Sequence, residues 1–175
     1  LVQTTGFLAA VAAIVAVILA MVLGYARRLV PTTWTGIQST LARFGYAIPG
    51  PVIAIGLLIP LTWLDRRINE AALGATDGGW RPGLILTGSM VGLILAYQTR
   101  FLAVALSFIE AGLLRINRRL DEAARMLGRG PLRTFGGIHL PMLRGSLLAA
   151  GLLVFVDVVK ELPMTLMLRP FNIET

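Results

Sequence analysis

The chain has 175 residues, of which 56% are hydrophobic and 14% charged, and its mean hydropathy is +0.78. Soluble domains are usually about 45–50% apolar and about 25% charged, so this composition indicates a membrane protein. The net charge of +7 would also fit nucleic-acid binding, but the arginines follow apolar runs as they do in membrane proteins, and we expect no nucleic-acid partner.

Residues 6–26 are uncharged and are followed by Arg27 and Arg28. At about 1.5 Å per residue, this run is long enough to cross a hydrocarbon core of about 30 Å. A signal peptide carries its basic residues before the apolar run. The order found here therefore predicts a transmembrane helix, with the arginine pair as a topology anchor.

Residues 44–64 form a second uncharged run, which contains Pro49, Pro51 and Pro60. Prolines at these positions would break a soluble helix, whereas a membrane helix tolerates them when neighbouring groups satisfy the freed carbonyls. We therefore expect a second span that is kinked or locally unwound.

Residues 83–109 form the third run, interrupted only by Arg100. Gly88 and Gly92 have the G-x-x-x-G spacing that lets two membrane helices approach closely. The alternative is a chance spacing in a glycine-rich chain.

Residues 145–163 form the fourth predicted span, with Asp157, Lys160 and Glu161 inside it or at its far end. Asp157 and Glu161 are four apart and would share a helical face, where Arg100 can pair with either of them. A carboxylate pathway for a hard cation is one interpretation. A neutralised structural network is the favoured one, because ionic groups in membranes usually pair with one another.

Basic residues predict the orientation. Residues 110–144 carry many more arginines than acids: Arg115, Arg118, Arg119, Arg125, Arg129, Arg133 and Arg144 against Glu110, Asp121 and Glu122. The segment between the second and third runs is balanced: Arg66, Arg67 and Arg81 against Asp65, Glu70 and Asp77. The positive-inside rule therefore places the arginine-rich segment in the cytoplasm.

Residues 115–141 predict two short helices joined at a glycine bend. Apolar residues at helical spacing form one face of the first helix: Ile116, Leu120, Ala123, Ala124 and Leu127. Charged residues form its other face, where Glu122 can pair with Arg118 or Arg125. Asn117 is the predicted N-cap, and Gly128 is predicted to end the helix at positive φ.

Pro131 suits the first turn of the second short helix, and Leu132 and Phe135 would be its apolar knobs. Such a protrusion can lie in a groove of a partner, where apolar anchors supply affinity and charges fix the register. The alternative is a solvated basic loop that only sets the topology.

The order Glu122-Ala123-Ala124, Gly128, Ile138 and Leu140-Pro141 resembles the cytoplasmic EAA loop of binding-protein-dependent ABC importer permeases. The resemblance implies an all-α polytopic transmembrane domain of about four spans, whose loop docks ABC ATPase subunits. The docking residues it implies are Glu122, Ala123, Ala124, Gly128, Leu132, Phe135, Ile138 and Pro141.

The same resemblance implies further partners: a sister permease half or a second permease copy, a periplasmic substrate-binding protein and the inner-membrane bilayer. The chain has no G-x-x-x-x-G-K-[ST] motif, so we expect no enzyme activity in it. No cofactor or metal is expected in this chain, because ATP and magnesium would bind to the partner subunit.

Several flanking stretches resemble ferric-iron transport permeases: 45–50, 100–104, 120–124, 155–163 and 168–171. The resemblance implies the second half of a fused permease without its final span, so we expect residues 1–175 to form one domain of a longer chain. Sulfate, molybdate, thiamine and polyamine permeases share the loop and remain alternatives.

Two other classes of protein compete with a permease. An ion-coupled secondary transporter would also show unwound spans and buried charges, but it needs no ATPase dock. A membrane-embedded enzyme needs convergent catalytic groups, and the chain has one histidine, His139, and no H-E-x-x-H motif.

Overall fold

The computed structural model describes residues 2–75 and 82–168. Its secondary structure there is entirely helical, which confirms the predicted all-α class. The helices are α1 (Val2–Leu29), α2 (Thr33–Ala47), α3 (Gly50–Ala75), α4 (Met90–Arg115), α5 (Arg119–Met126), α6 (Pro131–Thr134), α7 (Leu140–Met142), α8 (Arg144–Lys160) and α9 (Leu162–Leu168), with a π-helical turn at Phe135–His139. Some residues named in the predictions above lie outside the described residues: Asp77, Arg81 and 169–171.

Two described helices are long and apolar enough to cross a membrane, Gln3–Leu29 and Met90–Arg115. Two bent pairs, α2 with α3 and α6–α7 with α8, raise the number to four if each pair is one span. Four predicted spans are thus the upper value that these helices allow. The first predicted span, 6–26, lies wholly within α1.

The second predicted span is broken, as expected. Helix α2 ends at Ala47, α3 begins at Gly50, and their axes differ by 119°. Pro49 has no backbone N–H and disfavours the helical conformation of the residue before it, and Ile48 is indeed extended (φ −88°, ψ 133°). The predicted bounds were wrong, because 44–64 divides between two longer helices.

The third predicted span starts too early, because residues 83–89 are not helical. The buried Asp65 carboxylate holds this stretch by accepting the backbone N–H groups of three successive residues: Ile85 (3.1 Å), Leu86 (2.9 Å) and Thr87 (2.8 Å). Helix α4 then begins at Met90, where the Ser89 side chain accepts the N–H of Gly92 at 3.2 Å.

The predicted G-x-x-x-G helix contact was therefore wrong. Gly88 lies before α4 at a φ of +68°, a conformation that glycine adopts at low cost. Gly92 is in the helix, but its α-carbon faces the Leu86 carbonyl so closely that a Cβ would overlap it. The two glycines serve a tight turn onto α4.

The fourth predicted span is close to α8, which ends at Lys160. Glu161 is the residue after the helix, with φ −83° and ψ 83°, and α9 follows it. The expectation that Asp157 and Glu161 share one helical face was wrong, because the helix stops between them.

Helix α4 is central and contacts α1, α2, α3, α8 and α9. Small residues stand where the helices cross. Alanines at 9, 12, 13, 16 and 20 form a buried stripe on α1, and the Gln98 side-chain amide of α4 donates to the Ala12 carbonyl at 3.0 Å. On α2, Gly45 lies against the Thr99 carbonyl with no room for a Cβ. Close backbone approach is typical of helices packed in a membrane.

We predict that Gly45→Ala destabilises the bundle by about 1–3 kcal/mol, because the new methyl group must push α2 away from α4. Gly36→Ala is the matched control, since it is in the same helix and has no atom within 4 Å of its Cβ position. The control should be neutral or stabilise the helix by up to about 1 kcal/mol. Thermal unfolding in detergent, followed by circular dichroism, measures both; equal melting temperatures would contradict the proposed crossing.

Candidate coupling site

Helix α5 begins and ends with local hydrogen bonds that its sequence supplies. The Asn117 side chain accepts the Arg119 N–H at 3.0 Å, but the N-cap is Arg118 and not Asn117 as predicted. Gly128 has a φ of +71°, and its N–H donates to the Arg125 carbonyl at 2.9 Å. The next N–H, that of Arg129, donates to Ala124 at 2.9 Å, which completes a Schellman motif. The predicted glycine bend is confirmed.

Pro131 is the first residue of α6, as predicted, and Gly130 is its N-cap. The chain then continues through the π-helical turn Phe135–His139 into α7. Turns of this kind occur frequently at functional sites because they change the direction of side chains within one helix. Here the turn places Phe135 and His139 on the side facing α1.

Three large apolar side chains project from this loop. Met126, Leu127 and Leu132 are between 79% and 88% exposed and flank the Gly128–Gly130 bend. We call these three residues the apolar tip. Leu127 and Leu132 were predicted to belong to apolar faces, whereas Met126 was not singled out by the sequence. An exposed apolar cluster of this kind marks a surface that another molecule covers.

The remaining predicted docking residues are divided between surface and interior. Glu122, Ala123 and Pro141 are exposed, Ile138 is partly buried, and Ala124 is buried. Within the described residues, Glu122 forms neither of the ion pairs that we expected for it. Its carboxylate is therefore available to a partner.

Phe135 was expected to be an apolar knob, but its ring packs inward against α1. The Phe135 and Tyr25 ring centroids are 4.7 Å apart, and the Tyr25 hydroxyl donates to the Pro131 carbonyl at 2.9 Å. Through these two contacts, Tyr25 holds Pro131 and Phe135 against the C-terminal end of α1. No periodic pattern predicts this contact, because the two residues are far apart in the chain.

Arg28 fixes the other half of the loop. Its Nε and Nη2 atoms donate to Asp121 Oδ2 at 3.0 and 2.7 Å, and the same guanidinium donates to the carbonyls of Leu113 (2.5 Å) and Ile116 (3.0 Å). A single nearly buried side chain thus joins α1, the end of α4 and the start of α5. We call this set of bonds the Arg28 clamp. Arg28 is more than the topology anchor that we predicted.

His139 lies behind the clamp and is completely buried. Its Nε2 atom is 2.8 Å from Asp121 Oδ1, and its ring meets Tyr25 edge-on at 5.4 Å. Asp121 therefore has Arg28 on one carboxylate oxygen and His139 on the other. His139 therefore packs within the loop and helps to position Asp121.

A second polar group lies between α4 and the end of α8. Arg100 Nη1 is 3.2 Å from Glu161 Oε1, which confirms the predicted pairing of Arg100 with this cluster. Gly50 at the start of α3 makes room for the pair, since a Cβ there would overlap both side chains. Asp157 and Lys160 form no ion pair within the described residues.

Two comparisons with known proteins bear on this arrangement. A family model described as the binding-protein-dependent transport system inner membrane component matches residues 16–170. The chain belongs to this family. Members of this family are inner membrane components of binding-protein-dependent transport systems, which supports a role as a transport permease.

One curated relative is the Fe(3+)-transport system permease protein FbpB 2 of Haemophilus influenzae. The two proteins are 32% identical over 83 residues. That match covers 47% of this permease chain and 16% of the relative, so the chain spans only a part of the relative's length.

We predict that Arg28→Lys loosens the loop of residues 115–141, which we call the coupling loop after its proposed role. A lysine ammonium keeps the charge, but it lacks the planar fork that binds Asp121 and two carbonyls at once. The permease chain has no cysteine, so Leu127→Cys gives one labelling site for a spin label at the apolar tip. Electron paramagnetic resonance should show a more mobile label when Arg28→Lys is added.

Arg67→Lys is the matched control, because Arg67 has a single exposed ion pair, to Glu70 at 3.1 Å, within α3. The label should be as immobile in this variant as in the parent. Equal mobility in the Arg28 and Arg67 variants would mean that the clamp does not hold the loop.

We also predict that Glu161→Gln destabilises the permease by about 1–3 kcal/mol, because it leaves the Arg100 guanidinium without its counter-charge. Asp157→Asn makes the same chemical change at a carboxylate without an ion pair and should have little effect. Thermal unfolding in detergent compares the two variants. Equal stability of both would remove the structural role assigned to the Arg100–Glu161 pair.

Proposed function

We propose that this chain is the transmembrane permease part of an ATP-driven ABC importer and that ferric iron is its substrate. In this proposal the coupling loop docks an ABC ATPase subunit that binds ATP and magnesium, while this chain holds no cofactor. A sister permease half or a second copy completes the channel, and a periplasmic binding protein delivers the substrate.

The observation that carries the proposal is an apolar tip on a loop with a fixed base. Met126, Leu127 and Leu132 are exposed beside the Gly128 bend, and burial of each such side chain in a partner groove contributes roughly 1.5–3 kcal/mol. The free Glu122 carboxylate and the neighbouring arginines can set the register of that contact. A loop that only set topology would need no such tip.

The Arg28 clamp supplies a route from the loop into the membrane. A force on α5 reaches α1 through the Arg28–Asp121 pair, and it reaches α4 through the two carbonyls that Arg28 binds. Tyr25 adds a link from α6 to α1. Since α1 packs on α4 and α8, movement of the ATPase subunits would be passed to the helices that surround the pathway.

The substrate assignment rests on the relative's name and on the sequence resemblance. Ferric iron is a hard cation that suits oxygen ligands. Among the described residues, no three His, Asp or Glu side chains come together to hold a metal ion, so the proposal assigns no resident iron site to this chain. Glu161 is engaged by Arg100, which favours a structural network over a standing cation site.

Sulfate, molybdate, thiamine and polyamine remain alternative substrates within the same class of permease. An ion-coupled secondary transporter is the competing mechanism, and it would function without an ATPase subunit. Co-purification of an ATPase subunit with the full-length permease distinguishes the two mechanisms.

The test is ATP-dependent uptake of labelled ferric iron by cells carrying the intact gene or the Gly128→Asp variant. We expect the variant to insert normally and to lose uptake, because a side chain at positive φ costs about 1–2 kcal/mol and displaces the apolar tip. Gly130→Asp is the matched control: it adds the same charge two residues away, at a φ of −70°.

Normal uptake in the Gly128→Asp cells would contradict the role of the bend. Equal loss in both variants would point to the added charge and not to the bend. Absence of iron uptake in the intact cells, with the ATPase subunit still bound, would contradict ferric iron as the substrate. It would leave the assignment to the ABC importer class unchanged.

A further inference from the structure

A cavity of about 460 Å³ lies at the end of the bundle that carries the coupling loop. It is bounded by the end of α1, by α2 and by the end of α4, and it opens beside the loop's first residues. Four arginines line it: Arg27, Arg28, Arg43 and Arg118. The positive-inside rule places this end at the cytoplasmic surface of the membrane.

The positive charges of this cavity are not balanced. Of the described residues that line it, only Glu110 is acidic, and it is shared by Arg27, at 2.9 Å, and Arg43. The Asp121 carboxylate neutralises the charge of Arg28. Arg118 forms no ion pair within the described part of the chain. Two positive charges therefore remain without a counter-charge.

The two arginines that share Glu110 keep hydrogen-bond donors for a ligand. The Arg27 and Arg43 side chains are 46% and 52% exposed, while Glu110 is almost covered. Toward the described residues, Arg27 donates only from Nη1, to Glu110 and Ser39, and Arg43 donates only from Nη2, to Glu110. Each guanidinium has five N–H donors in a planar fork that matches phosphate oxygens.

An apolar surface adjoins the cationic one. Leu113 and Leu114 line the cavity, and Leu114 is strongly exposed. Helix α2, which contributes Arg43, exposes Trp34, Leu41 and Phe44. Tryptophan is enriched at the membrane–water interface, where one end of a site is apolar and the other is wet. A ligand that matches both surfaces is an amphiphile with an anionic head.

We propose that this cavity binds the phosphate head group of an anionic phospholipid from the cytoplasmic leaflet, with Arg27, Arg43 and Arg118 around the phosphate and the acyl chains along α2. Basic pockets between membrane helices on the cytoplasmic side are suited to such head groups. A bound lipid would supply the missing negative charge between α1, α2 and α4, next to the Arg28 clamp.

The experiment uses the full permease with its partner subunits in nanodiscs of phosphatidylethanolamine and phosphatidylglycerol. After detergent exchange, mass spectrometry measures how much of each lipid stays bound. We expect enrichment of phosphatidylglycerol in the parent and a fall of about tenfold or more in its affinity in Arg43→Gln/Arg118→Gln, which removes two positive charges.

Arg66→Gln/Arg67→Gln is the matched control, because it removes two exposed positive charges from α3, away from the cavity. It should keep the enrichment. If Arg43→Gln/Arg118→Gln fails to fold, Arg43→Lys/Arg118→Lys replaces it. This variant keeps the charge and should retain the preference for phosphatidylglycerol with weaker binding, since lysine lacks the planar fork.

Three results would overturn the proposal. One is equal phosphatidylglycerol enrichment in the parent and the folded 43/118 variant. Another is binding of labelled inorganic phosphate without enrichment of the lipid, which would make the ligand a soluble anion. The third is a lack of phosphatidylglycerol enrichment in the intact assembly, together with cross-linking of Arg43→Cys or Arg118→Cys to a partner subunit. That result would mean that protein covers the cavity.

Discussion

The arrangement of the end of the bundle that carries the loop depends on one nearly buried arginine. Arg28 satisfies the Asp121 carboxylate and donates to two carbonyls at the end of α4, of which that of Leu113 also accepts the Ile116 N–H. Burying a guanidinium is costly unless its donors are used, and here three of its nitrogens donate. The clamp therefore has one satisfied geometry. The loop cannot shift relative to α1 and α4 without breaking it, so the three elements move together.

Close backbone contacts tighten the bundle in addition to its buried large side chains. Alanines on α1, Gly45 on α2 and Gly50 on α3 each stand where another helix or an ion pair comes too close for a larger residue. Such contacts maximise dispersion attraction between helices, which is the main force that remains where lipid is as apolar as protein. A displacement of α1 at the Arg28 clamp would therefore be passed directly to α4 and α8, which pack against α1.

Much of this architecture could be predicted from the sequence, because apolar run length and glycine conformation are local properties. Residues 6–26 and Gly128 behave as their neighbours in the chain dictate. The start of α4 could not be predicted in this way. Residues 83–89 continue an apolar run, but Asp65, distant in sequence, takes their N–H groups. Hydropathy alone cannot distinguish a loop held by hydrogen bonds to a distant side chain from the first turns of a helix.

Contacts across the fold explain the other differences. Phe135 has the spacing of an exposed knob, and only the position of Tyr25 on α1 turns it inward. The inward orientation of Phe135 suits the proposed role of the loop in passing movement from a partner to the membrane helices. An apolar tip with a flexible base would bind a partner and transmit little, because the loop would absorb the displacement. With Phe135 and Asp121 held against α1, the three tip residues are the most exposed large apolar side chains of the loop, and a force applied to them is passed to the membrane helices with little deformation of the loop.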